Sequence, residues 1–283
     1  MDKRKLEERI FLCLMRISAG LVFTALLAIT GTIFVKGFNS LSISMLTQVP
    51  KGGYYLGKEG GILNAIVGSL LIGILSTLLA LALALPITFY INIYRRGRSK
   101  FAYYTRFSLD VLTGVPSIVY GLYGFLILRF LGIRASLLGG VFAVAMLILP
   151  LMCRTIDEVI RLVPKDLLDT AYSLGSTRLE TIIHVLLRQI SGGIVMAVMI
   201  AFGRGIGDAA SVLFTAGFSD YIPTSLLQPA ATLPLAIFFQ LQSPLPEVQE
   251  RAYASAFILT MIILIISIMV RMLGKKFSRN VIR

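Results

Sequence analysis

The chain has 283 residues, 57% of them hydrophobic and 14% charged, with a formal net charge of +13 and a mean hydropathy of +0.85. Soluble domains carry about 25% charged residues; this chain is too apolar for that class, and its uncharged runs near ~20 residues make it a polytopic helical membrane protein. One histidine, His184, and two cysteines, Cys13 and Cys153, exclude a Cys/His zinc cluster, a disulfide scaffold and a histidine-based triad, and no glycine-rich phosphate loop is present, so no metal, nucleotide or other cofactor is expected.

Six apolar runs follow in chain order: Ile17–Val35, Ile62–Tyr94, Val111–Leu128, Leu137–Cys153, Ile190–Ala216 with one interruption, and Ala252–Val270. The first follows a basic N-terminus as a signal peptide would. It is too long for one and no small-x-small site follows, so it reads as an uncleaved span. The second exceeds one upright crossing and must tilt or project from the hydrocarbon, with Pro86 as a kink. Near the start of the third, Gly114-Val115-Pro116-Ser117 predicts a break, either a packing kink or a half-helix lining a path, with Ser117 as a weak path-lining candidate. Gly139, Gly140 and Pro150 bracket the short fourth run. No internal repeat is evident.

About 20 of the 27 Lys and Arg residues fall on one side of this six-span arrangement: the N-terminus, the loops after spans two and four, and the tail. The positive-inside rule then places both termini in the cytoplasm. The basic excess is a topology signal, so no nucleic-acid partner is expected. Outside lie a Gly-rich loop, Lys36–Gly60, and a longer one, Gly217–Arg251, in which Ala231–Leu241 is apolar but too short to cross.

The cytoplasmic loop Arg154–Gln189 reads as two short helices. The first runs from about Pro164 to Leu174 with Leu167, Leu168, Ala171 and Leu174 on one face, and Gly175 stops it. The second starts at the capping box Thr177-Arg178-Leu179-Glu180. Its apolar residues Leu179, Ile182, Ile183, Leu186 and Leu187 form a helical stripe. Such a pair either coats the bilayer or fills a groove on a soluble partner. His184 lies off the stripe, as a solvated residue.

Within span five, Arg204 is flanked by uncharged residues on both sides. A charge at membrane depth costs about 2.5–3.5 kcal/mol on the insertion scale and is rarely kept without a role. Asp208 lies four residues on, one helical turn away on the same face. The pair reads either as an internal salt bridge or as an anion station, since guanidinium offers a planar fork suited to phosphate oxygens. Gly203, Gly205 and Gly207 remove bulk around it.

Residues 169–175, DTAYSLG, resemble the E-A-A-x-x-x-G loop of the permease subunits of binding-protein-dependent ABC importers. Asp169 stands where that family has Glu, Thr170 and Ala171 match the paired small residues, and Gly175 matches the glycine. The family's proline some ten residues on is absent here; Val185-Leu186-Leu187-Arg188 occupies that stretch. TGVPSIVYGLYG (113–124) and GRGIGDAASVLFTAG (203–217) resemble segments of the phosphate-importer permeases, and LFTA with ATLPLAIF (231–238) resembles their A type. There the matching charges are Arg-x-x-Gly-Glu and are tied to transport; Asp208 is one methylene shorter.

The resemblance spans roughly residues 60–272. It implies an all-α, six-helix polytopic membrane protein of type I ABC importer permease architecture, a single permease domain over 1–283. Asp169, Thr170, Ala171 and Gly175 would couple to an ATPase dimer, and Arg204, Asp208 and Ser117 would line the substrate path. Implied partners are a second homologous permease, the ATP-binding dimer, an extracytoplasmic phosphate-binding protein, phosphate and membrane lipid. The chain would sit in the inner membrane and would not itself be an enzyme. Competing readings are a sulfate or molybdate permease, a membrane enzyme acting on phospholipid head groups, which Asp208 alone serves poorly, and a self-contained channel or carrier, which leaves the docking-type loop unexplained.

Overall fold

The structure is a computed structural model and describes residues 3–51, 59–95 and 99–277. Helix α1 (Lys3–Asn39) leads to a one-turn helix α2 (Ile43–Thr47) and a two-residue antiparallel ladder, β1 (Pro50–Lys51) with β2 (Glu59–Gly60). Helix α3 (Leu63–Phe89) ends in a π-helical turn, Tyr90–Tyr94; α4 (Lys100–Thr113), α5 (Ser117–Phe130) and α6 (Leu137–Arg161) follow. Next come the short α7 (Lys165–Ser173) and α8 (Arg178–Glu180), a π-helical stretch Thr181–Leu186, α9 (Leu187–Ile206), the short α10 (Leu233–Leu241) and α11 (Pro246–Phe277).

Among the described residues five helices are long and apolar enough to cross a bilayer, and α4 with α5 passes the same test as a bent pair, which makes six when the pair counts as one broken crossing. This pair breaks where Gly114-Val115-Pro116-Ser117 predicts a break, though it extends back to Lys100, beyond the apolar run Val111–Leu128. Its halves meet at 102°, because Pro116 has no N–H to continue the ladder and disfavours helical geometry at Val115. The Tyr120 hydroxyl donates to the Leu112 carbonyl at 2.8 Å, adding a second bond to the acceptor that takes the Val115 N–H at 3.1 Å and tying α5 back to the end of α4. The fourth span runs beyond the expected Cys153 to Arg161, carrying Pro150 inside the helix.

The core is built on α6. Val144, Ile148, Met152 and Ile156 are fully buried against α3 and α9. The buried face of α3 is a stripe of small residues (Ala65, Gly68, Ser69, Gly73, Ser76, Ala80 and Ala84) at helical spacing. Such a stripe lets backbones approach closely where lipid supplies no hydrophobic drive for helix pairing. By contrast, α1 is exposed along most of its length. It joins the bundle near its C-terminal end, where Phe34 and Phe38 set their rings edge-on to Phe257 at 5.2 and 6.1 Å. Gly37 there leaves room for the Tyr253 carbonyl.

Span five stops at Ile206, ten residues short of the expected Ala216. Residues 207–232 are irregular yet packed, with Val212, Thr215 and Ala216 buried. This segment satisfies the start of α6. Ser136 N–H donates to Thr215 O, Leu137 N–H to Gln228 O and Leu138 N–H to Leu226 O, each at 2.8 Å. Those are N–H groups with no partner inside the helix. The apolar stretch over 231–241 is α10, about 14 Å long and too short to cross. It is capped by Thr232 and tied to α3 by a Leu233 N–H to Ser69 Oγ bond of 2.7 Å.

Candidate functional site

Arg204 occupies the last turn of α9, where the helix's unpaired carbonyls favour a cation. It lies 16 residues beyond Arg188, or about 24 Å along the helix, which places it inside a hydrocarbon core of ~30 Å. Its side chain is exposed on the surface of this chain. Gly203 has open space beside it, whereas Gly205 turns to the core and meets Val144 Cγ1. The glycines thus have divided roles: one clears the face beside Arg204 and the other admits α6.

Asp208 corrects the expected helical pair. The helix is capped at Gly207, so Asp208 is off it, and the carboxylate Oδ2 instead accepts the Ser211 N–H at 2.7 Å. Glycine weakens the helix by about 1 kcal/mol per residue relative to alanine, and an Asp side chain that bonds a backbone N–H a few residues on competes with helix continuation. No Arg204–Asp208 ion pair forms among the described residues. Both charges nevertheless sit at one break in span five.

The break in span three faces the same place. Tyr120, in the first turn of α5, is within electrostatic reach of Arg204. Gly121 abuts the carbonyls of Ala210 and Ser211. Ser117, half-buried, is the first residue of α5, whose N-terminus carries no side-chain cap. Two interrupted helices therefore meet at membrane depth. The N-terminal turns of α5 thus pack on the segment that follows Arg204 and carries Asp208.

A second region is the loop around α7. Helix α7 starts after Pro164 and ends in a complete Schellman motif: Ser176 N–H donates to Ala171 O at 3.2 Å and Gly175 N–H to Tyr172 O at 3.0 Å. Gly175 has φ +83°. Asp169, Thr170 and Gly175 are exposed and Ala171 is buried. Leu168 and Ala171 pack inward as expected, but Leu174 caps the helix from outside and is 83% exposed. Leu162, which caps α6 in the turn before α7, is 82% exposed as well.

The capping box at Thr177 is present, with Thr177 N–H to Glu180 Oε2 at 2.8 Å and Glu180 N–H to Thr177 Oγ1 at 3.3 Å. The helix it opens is not a separate short one. It continues through the π-helical stretch into α9, since no proline or glycine intervenes before Gly192. The π turn also splits the expected stripe: Ile182 and Leu186 are buried, Leu179 and Ile183 exposed. His184 is exposed, its Nδ1 3.2 Å from Glu180 O.

Sequence reasoning missed one constellation. Asp157, fully buried near the end of α6, is gripped by Arg106 of α4, by Asn92 of the π turn after α3, and by Arg161. By sequence alone these arginines read only as part of the basic excess. The signal was available in the i, i+3 and i+4 spacing of Arg154, Asp157 and Arg161.

Six crossings, a short exposed helix between the fourth and fifth, and a charged break in the fifth define an ABC importer permease. The chain belongs to the binding-protein-dependent transport system inner membrane component family, whose model matches residues 76–279. It is 32% identical over 269 residues to the phosphate transport system permease protein PstA of Haemophilus influenzae, covering 95% of this chain and 94% of that one. It is 33% identical over 241 residues to the PstA of Yersinia pestis, covering 85% and 81%. In fold it is similar to a chain of the MetNI methionine ABC transporter in an inward-facing conformation. The TM-score is 0.63 at 15% identity, covering 76% of this chain and 95% of the other. The PstA relatives are named as transport permeases, and this chain is a multi-pass permease subunit of that family.

Proposed function

We propose that this chain is a permease subunit of an importer that carries inorganic phosphate across the cytoplasmic membrane, with ATP hydrolysed by a separate subunit pair. A second, homologous permease completes the path, and an extracytoplasmic binding protein delivers phosphate. Both termini lie in the cytoplasm, as the partition of basic residues argues. The whole chain, 1–283, acts as one permease domain.

The observation that carries this reading is Arg204 in the last turn of α9, beside a break whose Ser211 backbone abuts Gly121 near the uncapped N-terminus of α5. A guanidinium fork and a helix N-terminus both favour an oxyanion. Asp208 Oδ1 would accept a hydrogen bond donated by a protonated substrate oxygen, while Oδ2 accepts the Ser211 N–H. Phosphate near neutral pH carries a proton and sulfate does not. The names of the curated relatives support the same substrate.

The exposed residues Asp169 and Thr170 of α7, with exposed Leu174 and Gly175 at its end, suit docking in a cleft of the ATPase. The test is purification from detergent with the ATPase and the second permease, then reconstitution with binding protein. ATP-dependent uptake of labelled phosphate supports the reading. Uptake of sulfate or molybdate instead identifies a different oxyanion, and phosphate passage with no ATPase bound supports a self-contained carrier.

A further inference from the structure

The Asp157 cluster joins three separate elements at the α7 end of the bundle. Arg106 of α4 presents a fork to it, Nε to Oδ2 at 3.0 Å and Nη2 to Oδ1 at 3.0 Å. Asn92 Nδ2 donates to Asp157 Oδ1 at 2.7 Å, while Asn92 Oδ1 accepts from Arg106 Nη2 at 3.0 Å. Arg161 adds Nε to Oδ2 at 3.2 Å. One turn further back, Arg154 Nε bonds Asp110 of α4 at 2.7 Å, so α4 is held to α6 at two successive turns.

Such a cluster is poor evidence of stabilisation for its own sake. Burying a carboxylate costs much of what its partners return, and the best-attested use of buried ion pairs is fixing register or switching. The connections of this one are specific. From Asp157 the chain runs through Arg161 and three further residues into α7. Leu168 of α7 shares a core with Ile156, Ile160 and Val163. The far end of the α7 loop returns to the same place, where the Arg178 guanidinium lies over the Tyr94 ring at 5.5 Å, two residues from Asn92. On the other side, α4 leads through the Gly114–Pro116 break into α5 and the neighbourhood of Arg204.

We infer that Asp157 and Arg106 are positioning residues, a latch that makes the end of α6, with α7, move as one body with α4. ATPase-driven displacement of α7 is thereby delivered to the break in span three, and from there to the anion station. The inference rests on the importer reading above. It concerns transmission of motion, not contact with substrate.

The test uses the complete complex, with Arg106→Gln and Asp157→Asn, and two readouts. The first is phosphate uptake per ATP hydrolysed. The variants are expected to keep hydrolysis within about twofold of wild type while uptake per ATP falls at least about tenfold. The second needs no phosphate. Spin labels at Ser173 of α7 and Tyr103 of α4, both exposed, should hold one separation in wild type with and without trapped nucleotide, and a nucleotide-dependent separation in the variants. Should Asp157→Asn fail to assemble, Arg106→Gln decides, because Arg106 lies at the cluster's edge and is partly exposed. Arg106→Lys, which keeps charge but loses the fork, should recover part of the coupling. A label separation that nucleotide leaves fixed in the variants overturns the latch, as does a parallel fall of uptake and hydrolysis in assembled complexes. A wild-type complex that takes up no phosphate refutes the substrate reading alone, and the labels still decide the latch.

Discussion

Gly121 of α5 lies against Ser211: a Cβ on Gly121 would sit 2.8 Å from the Ser211 carbonyl oxygen and 3.0 Å from its Cα. The neighbour is backbone and cannot rotate away. A side chain here must push α5 off the segment that begins at Asp208. Gly121→Val is expected to lower stability by about 1–3 kcal/mol, the usual cost of overpacking, and to lower uptake more than complex yield. Thermal unfolding in detergent and uptake by reconstituted complexes check both. Wild-type uptake in Gly121→Val would mean that the approach of α5 to Ser211 does not set the station.

Gly175 has φ +83° with nothing within 4 Å of a Cβ placed on it, so a substitution there is strained by backbone conformation and not by crowding. Left-handed geometry costs a non-glycine residue about 1–2 kcal/mol, and a β-branched one fares worst. Gly175→Val should unwind the end of α7 and leave the spans inserted. ATPase retained on the purified permease is expected to fall, while Gly175→Asn, which tolerates this region, should retain more. Equal ATPase retention by all three proteins would show that the bend is not part of the docking surface.

The sequence carried the spans, the stop at Gly175 and the capping box at Thr177, because each depends on residues close in the chain. What escaped it depends on distant partners. Nothing local says that Asp208 will choose the Ser211 N–H over Arg204, nor that Pro116 will turn the third span through 102°. The inward face of the Thr177 helix was misjudged because the π-helical stretch shifts the register by a fraction of a turn. Arg106 looked like a topology signal because its partner, Asp157, lies 51 residues away and is fully buried.

Membrane orientation is tested by single cysteines on a background in which exposed Cys13 and buried Cys153 are replaced. Reagents that cannot cross the bilayer should label Ser99Cys and Lys276Cys from the cytoplasm only. On the outer side, a cysteine in the loop Lys36–Gly60 at Lys58 would fall outside the described residues and one at Ser219 would be buried, so exposed Asp220 serves as the outer position. Labelling of Asp220Cys in intact cells together with Ser99Cys only after permeabilisation is the expected pattern. The reverse would move α7 to the wrong side for an ATPase.

Arg204→Gln retains most of the side chain's length but loses its charge and fork. It is expected to leave complex assembly intact, since Arg204 is exposed on this chain and makes no ion pair among the described residues. Uptake should be abolished. Arg204→Lys should fall between the two, because an ammonium cannot donate bidentately. Reconstituted Arg204→Gln complexes that import phosphate at the wild-type rate would remove the anion station from the path.

Asp208 offers the finer discrimination, because two roles can be separated at one carboxylate. Its Oδ2 holds the turn through Ser211 N–H, a bond that Asn can still accept and Ala cannot. A charge-assisted bond of this kind contributes about 1.5–3 kcal/mol, so Asp208→Ala should lose stability and Asp208→Asn much less. If turn-holding were the whole role, Asp208→Asn would transport phosphate nearly as wild type does. We expect instead that it assembles normally and loses phosphate selectivity. With its carbonyl accepting the Ser211 N–H, the Asn amide turns its N–H donors toward the substrate, so a fully ionised oxyanion is no longer repelled. Competition of unlabelled sulfate against labelled phosphate uptake measures this directly. Sulfate should compete in Asp208→Asn and not in wild type; sulfate without effect on either protein would confine Asp208 to the turn.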